Sequence, residues 1–391
     1  MTPLSAVAAS SARRHRLRGR LAAVLATILG AAIAVVVPAT PASAATTWIQ
    51  LSAGYRHSCG IRADRTLWCW GDNVDGQLGV GGTERRTTPA QVGSQSNWDS
   101  VAAGAIHTCA LKIDGTRYCW GDNDSGQLGL GDQTMRTGPR RVVGESAWLS
   151  LSAGSGFTCG VRADRGVFCW GENSHGQLGV GDSTDRLLPT QTGSQFNWST
   201  VSAGAFHACG LKIDGTRYCW GWNIHGELGV GDFTPRDSPT RLLGETGWFA
   251  LEVGSHFTCG IDTATRLHCW GTNESSQLGL GASVLRREVP TQVGTSTGWN
   301  QIAPGSFHTC GTRGLTRLCW GSNHRGQLGL GDFDDRDTPV GVIDGPWQFL
   351  SSGSGTTCGV SSGSGYCWGA NDTYALGIGD NITRFRPTRL A

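Results

Sequence analysis

The residues best equipped for chemistry in this 391-residue chain are its 14 cysteines, and they arrive in close pairs. "CALKIDGTRYC" runs from Cys109 to Cys119, and "CGLKIDGTRYC" repeats it from Cys209 to Cys219. Thiols at this spacing can bind a metal or oxidise to a disulfide. Zinc ribbons take Cys-x2-Cys pairs, and the chain has none. His57, His107, His207 and His308 each precede the first cysteine of their unit by two residues, which could form a ring of metal ligands. Phe157 and Thr356 hold that place in two other units, so the reading is a repeated structural hydrogen bond, and no metal is expected. "GTSTG" (Gly294 to Gly298) matches a hydrolase nucleophile pattern, but it lies between two strand candidates instead of on a strand-to-helix elbow. "DNDSG" (Asp122 to Gly126) begins like a calcium loop, yet Gln133 stands where the twelfth-position Glu belongs. There is no nucleophile–base set and no phosphate loop, so neither a catalytic residue nor a cofactor is expected.

The elements that must place these cysteines are short strands. "CW" ends at Trp70, Trp120, Trp170, Trp220, Trp270, Trp320 and Trp368, and a second tryptophan stands 21 or 22 residues before each. Seven units of about 50 residues, starting near 48, 98, 148, 198, 248, 299 and 347, signal a propeller or solenoid. Each unit carries four strand candidates separated by Gly/Asp/Asn turns, as in "WDSVAAG", "HTCALK", "TRYCWG" and "PRRVV" of the second. The expected fold is all-β, a seven-bladed propeller of four-stranded antiparallel blades, which hides sheet edges by closing. If the Pro-x-x-Val strand belongs to the following blade, the C-terminal "RPTRL" completes blade one and closes the ring.

Hairpin geometry then pairs the cysteines. A three-residue loop Ile113-Asp114-Gly115, with Gly left-handed, sets Cys109 opposite Cys119. The last two pairs are one residue closer, and a two-residue loop (Gly314-Leu315 or Ser362-Gly363) restores the same opposition. Seven bonds within blades are expected: Cys59–Cys69, Cys109–Cys119, Cys159–Cys169, Cys209–Cys219, Cys259–Cys269, Cys310–Cys319 and Cys358–Cys367. Opposed Cα atoms at a non-hydrogen-bonded site approach to about 4.5 Å, within disulfide reach.

The first 44 residues differ in kind. "RRHRLRGR" precedes the apolar run Leu21 to Val37, and "PASA" ends at Ala44, which reads as a secretory signal peptide cleaved after Ala44; a retained anchor is the other reading. Removing five arginines and no acid leaves 27 basic against 30 acidic residues, a net charge of −3. That balance gives nucleic-acid binding no electrostatic basis. Disulfides behind a signal peptide point to a secreted or cell-surface protein with no membrane contact once cleaved.

"GDNDSGQLGLGD" (Gly121 to Asp132), with counterparts from Gly171 and Gly321, and "AGAIHTCALKIDG" (Ala103 to Gly115) resemble the regulator of chromosome condensation repeat family. The resemblance covers Trp48 to Leu390 and implies a seven-bladed propeller. The family's founder is a nuclear exchange factor for a small GTPase; an exported, oxidised, mildly acidic relative is not expected to share that role. The secreted propeller-type β-lactamase inhibitory protein is similar in architecture and export, with shorter units.

Function is therefore sought at positions that vary between units. Recurrent Arg86, Arg136, Arg186, Arg236, Arg286, Arg336 and Arg384 are assigned to local ion pairs, because an acid four residues earlier precedes five of them. The candidate partner-binding residues are Tyr55, Arg56, Ile106, Phe206, His256 and Phe307 after the first strand, and Trp222, Ile224 and His225 after the third. Aromatics at non-repeating loop positions are what interface anchors look like. The expectation is a monomeric protein-binding module facing an extracellular protein or cell-wall component, one version being an inhibitor of an extracellular enzyme. The alternative is an enzyme acting on polysaccharide in the channel, which would need two convergent carboxylates.

Overall fold

Alternation along the first strand of each unit decides which side faces the core. Trp48–Ala53 buries Trp48, Leu51 and Ala53 and turns Ile49 outward. The second and third strands, His57–Arg62 and Leu67–Gly71, are buried almost continuously because both faces are covered by neighbouring sheets. The fourth, Arg86–Gln91, is mostly accessible and carries a proline, as its counterparts do at Pro139, Pro189, Pro239, Pro290, Pro339 and Pro387. Proline cannot donate to a further strand, so the outer edge of every blade resists edge-to-edge pairing.

The structure is a computed structural model and describes residues 47–142, 147–242 and 247–391. Among these, twenty-eight strands form seven four-stranded antiparallel sheets, each taken in sequence order. The expected signal peptide lies outside the described residues.

All seven cysteine pairs stand opposite one another in register and are bonded, with Cα atoms 4.1–4.2 Å apart. The left-handed loop residue is glycine only at Gly115 and Gly215; Arg65, Arg165 and Thr265 adopt the same conformation in the other three-residue loops. A side chain there costs about 1 kcal/mol, and the stapled hairpin overrides it. Each disulfide faces the next blade: Cys59 and Cys69 share a core cluster with Trp98 and Trp120.

The expected strand exchange at ring closure does not occur. The fourth strand pairs with the third of its own unit, Gly71 with Arg86 and Gly369 with Arg384, so each blade is contiguous in sequence. Closure is instead made by side-chain packing between blades seven and one. Trp48, Leu51 and Trp70 pack with Cys358, Cys367 and Leu390 in one core. At the inner rim a ring of glycines runs from Gly54 to Gly353. A Cβ on any of them would stand 2.1–2.6 Å from the carbonyl oxygen of the next, so only glycine permits this approach.

Candidate loop-face site

One end of the ring carries both the link after the first strand and the long loop after the third. Backbone bonds tie the two together in each blade, such as Asp72 N to Arg56 O and Trp222 N to Phe206 O at 3.0 and 2.9 Å. The long loops are held by an asparagine. Asn123 accepts the Leu128 N–H at 3.0 Å and donates to the carbonyls of Asp132 and Thr134, and Asn73, Asn173, Asn223, Asn273, Asn323 and Asn371 accept the equivalent N–H. Five arginines pair with the acid four residues earlier at 2.6 Å, as expected: Arg136, Arg186, Arg236, Arg336 and Arg384. Arg286, which lacks that acid, lies 4.4 Å from the Phe233 ring centroid.

The histidines join blades. His107 Nε2 meets Thr158 Oγ1 at 2.8 Å, and that hydroxyl donates to Gln127 O; His57, His207 and His308 repeat the contact. A hydroxyl has one proton, and it goes to the carbonyl, so Nε2 must carry the imidazole proton and Nδ1 is bare. Burial pushes these imidazoles down, to about 4 for His57 and His207 and about 3 for His107 and His308. Where the next blade offers Ala208 instead of a hydroxyl, the preceding residue is Phe157. The Gln127 carbonyl also receives the Trp170 indole N–H at 2.9 Å. The hydrogen-bonded scaffold beneath the loops largely repeats from blade to blade, and the side chains that vary lie on it.

Those side chains fall into two groups. Phe206, Trp222, His225 and His256 form one chain of ring contacts over blades three to five. Sequence reasoning missed His175, which joins them: it stands 4.2 Å from Trp222 and 5.2 Å from Phe206. Phe206–His256 and His225–His256 are 5.7 and 5.8 Å apart. Its signal was present, since the corresponding loop positions read Asp75, Ser125, His225, Ser275 and Arg325. Tyr55, Arg56 and Phe307 line a separate cleft of about 320 Å³ over blades six, seven and one, with His324, Arg325 and Asp372. Tyr55 and Phe307 are about half exposed, at 51% and 48%. Ile224 is exposed and Ile106 half-buried, and neither takes part in the ring contacts. The sequence candidates thus share a face but not one patch.

Models of the regulator of chromosome condensation (RCC1) repeat match residues 48–77, 98–127, 148–177 and 198–227, and, in a second form, 65–111, 114–161, 165–211, 214–261, 266–311 and 318–365. The chain belongs to this family. No curated protein matches it. Among solved structures it is similar to human WBSCR16, at 22% identity and a TM-score of 0.75, over 83% of this chain and 94% of that one. Yeast RCC1 (Prp20), in its complex with Kap60, gives 19% identity and a TM-score of 0.75 over 88% and 85% of the two chains. The ectodomain of the Physcomitrella patens receptor kinase CR4 gives 22% and 0.52, over 83% and 74%. At these identities the likeness establishes the fold.

The channel of this RCC1-repeat propeller is lined by the first strands. One position per blade reads Ser52, Ala102, Ser152, Ser202, Glu252, Ala303 and Ser351 around it. The serines stitch the ring: Ser52 Oγ accepts the Ala103 N–H at 3.0 Å, and Ser351 Oγ accepts that of Ala53 at 3.0 Å. Glu252 is the lone carboxylate among the described lining residues, with Ser202 Oγ 3.0 Å from Oε2. Glu252 is exposed to the water of the channel, yet the surrounding channel wall disfavours its charge and pushes its carboxyl up to about 7, partly offset by Ser202. A two-carboxylate mechanism has no second member here.

Proposed function

We propose that this chain is an exported, disulfide-stapled RCC1-repeat propeller that binds an extracellular protein or cell-wall component through its loop face. The observation that carries this is the pairing of a fixed loop scaffold with aromatic side chains confined to non-repeating positions. Rigid loops recognise a partner without being ordered first, which favours affinity. Seven buried disulfides suit an oxidising compartment. Inhibition of an extracellular enzyme is the finer version of this reading. The polysaccharide-enzyme alternative would need a second carboxylate beside Glu252, which is the lone one among the described residues lining the channel.

Affinity capture tests the proposal. The oxidised protein is immobilised and exposed to the secreted and cell-wall fractions of its source, beside two variants. One carries Phe206→Ala and Trp222→Ala, the other Tyr55→Ala and Phe307→Ala. A partner retained by the wild type and lost from one variant is expected, and it names the patch. Retention by both variants moves the interface off these patches, and the absence of any partner overturns the binding-module reading. A partner that is an enzyme is then assayed for loss of activity on binding.

A further inference from the structure

Where the two loop-face links meet, blade seven carries almost no side chain. Ala370 N donates to Gly355 O at 2.8 Å, and the place of Ala370 is held in the other blades by Asp72, Asp122, Glu172, Trp222, Thr272 and Ser322. Blade three also has a glycine after its first strand, but there the space is taken: a Cβ on Gly156 would stand 2.7 Å from Glu172 Oε2. At Gly355 a Cβ would meet Ala370 Cβ at 3.4 Å and Arg325 Cδ at 3.5 Å, both ordinary contacts. The cleft of about 320 Å³ that includes Gly355 and Ala370 in its lining is therefore open because this pair of positions is nearly empty of side chain.

The lining also carries charge. Arg56 comes from blade one and Arg325 from blade six, the neighbours of blade seven on either side, and no other blade has an arginine at either position. Both side chains are more than half exposed and loosely held. Arg325 Nη1 lies 3.4 Å from Asp372 Oδ1, on a side chain that is itself exposed. Arg56 Nη1 lies 3.9 Å from Asp72 Oδ2, while Asp72 Oδ1 accepts the Arg85 Nε–H at 2.9 Å, so two guanidinium groups share one carboxylate. Ion pairs this exposed contribute little and exchange readily for another partner. Asp72 and Asp75, the acids that act on Arg56, do not line the cleft, and His324, which does, is 3.4 Å from Asp335 outside it. Asp372 is the one carboxylate among the described lining residues, and two arginines against it leave a surplus positive charge.

We infer that the cleft over blade seven is a binding site for an acidic side chain, aspartate or glutamate, of a protein partner, held by Arg56 and Arg325 with Tyr55 and Phe307 as apolar walls. Guanidinium groups meet carboxylates through paired N–H donors, and surrounding aromatic contacts keep water from them. This rests on the binding-module reading and assigns the chemistry that its partner presents at blades six, seven and one.

Other blades supply the test variants. Arg325→Ser installs the residue found at Ser125 and Ser275, whose N–H makes the same bond to the loop glutamine. Gly355→Phe installs the residue found at Phe206 and Phe307, whose carbonyls accept the same N–H, and Gly355 is not left-handed, so the backbone admits a side chain. The first variant removes a charge from an open cleft; the second fills the cleft and keeps both arginines. Both are expected to melt within a few degrees of the wild type. N-acetyl-glutamate amide is titrated into the oxidised protein, with N-acetyl-glutamine amide as the neutral control and glucuronic acid as a sugar acid. The backbone amide resonance of Ala370 reports occupancy. A saturable shift with glutamate and none with glutamine are expected, and each variant weakens glutamate binding by about fivefold or more. No saturable shift, equal binding by either variant, or a glutamine response matching glutamate overturns the assignment. Glucuronic acid bound more tightly than the glutamate probe overturns a protein side chain as the occupant. The two readings fail separately. A captured partner held equally by wild type and by both variants removes the acidic-side-chain site and leaves the module standing. Glutamate binding that depends on Arg325 in a chain that captures no partner does the reverse.

Discussion

Single residues in this propeller are set against their own titration. Four buried imidazoles stay neutral when folded down to about pH 3 or 4, whereas in the unfolded chain they take a proton near 6.5. The unfolded state therefore binds more protons between those values, and stability falls as pH drops through that window. His107→Phe, the residue already used at Phe157 and Phe257, is expected to flatten this acid limb in urea titrations at pH 7 and pH 4.5. An unchanged slope would assign the acid sensitivity elsewhere. Glu252 works in the opposite sense. Its folded pKa lies near 7 against 4.5 unfolded, so the folded state holds the extra proton between them and stability falls as pH rises through that range. Glu252→Gln is expected to raise the melting temperature at pH 8 and to match the wild type at pH 4.

At the scale of the hairpin and the loop, two devices repeat. The disulfide closes a short hairpin, and the chain-entropy model values it at about 3 kcal/mol, an upper figure because the hairpin is already ordered by its register. Replacing Cys109 and Cys119 by alanine is expected to cost up to about that amount, with the other six bonds intact in a non-reducing peptide map. The loop asparagine is the second device. Asn123→Ala strands a buried N–H and two carbonyls and is expected to cost about 2–3 kcal/mol. Hydrogen exchange should localise the loss to residues 121–136.

For the molecule as a whole, contiguous blades make the closing junction a side-chain contact of the same kind as those within the chain. Trp70 Nε1 reaches Ala375 O across the closing junction at 2.9 Å, as Trp120 Nε1 reaches Gln77 O within the chain. Trp48 and Leu390, near the two ends of the described ring, approach the same Gly365. A circular permutant that joins Ala391 to Thr47 through a short linker and opens between Gly93 and Asn97 is expected to melt within a few degrees of the parent. A large loss would show that one junction carries special weight.

Fold and stapling were legible in the sequence because they are local and repeated. Tryptophan spacing counts the blades, and loop length with cysteine spacing determines each register, so every pairing follows within eleven residues. Blade boundaries were not legible, since a strand at a unit's edge can join either neighbour by pattern alone; the pairing of each fourth strand with the third of its own unit decided it. The candidate face was half legible. Non-repeating aromatics marked out Phe206 and Trp222, but not that His175, a loop away, contacts both rings. Nor could one sequence say that the residues form two patches, or that Glu252 is the lone carboxylate among the described residues lining the channel. Those are relations between blades, made by side chains about fifty residues apart, and only the closed ring brings them into contact.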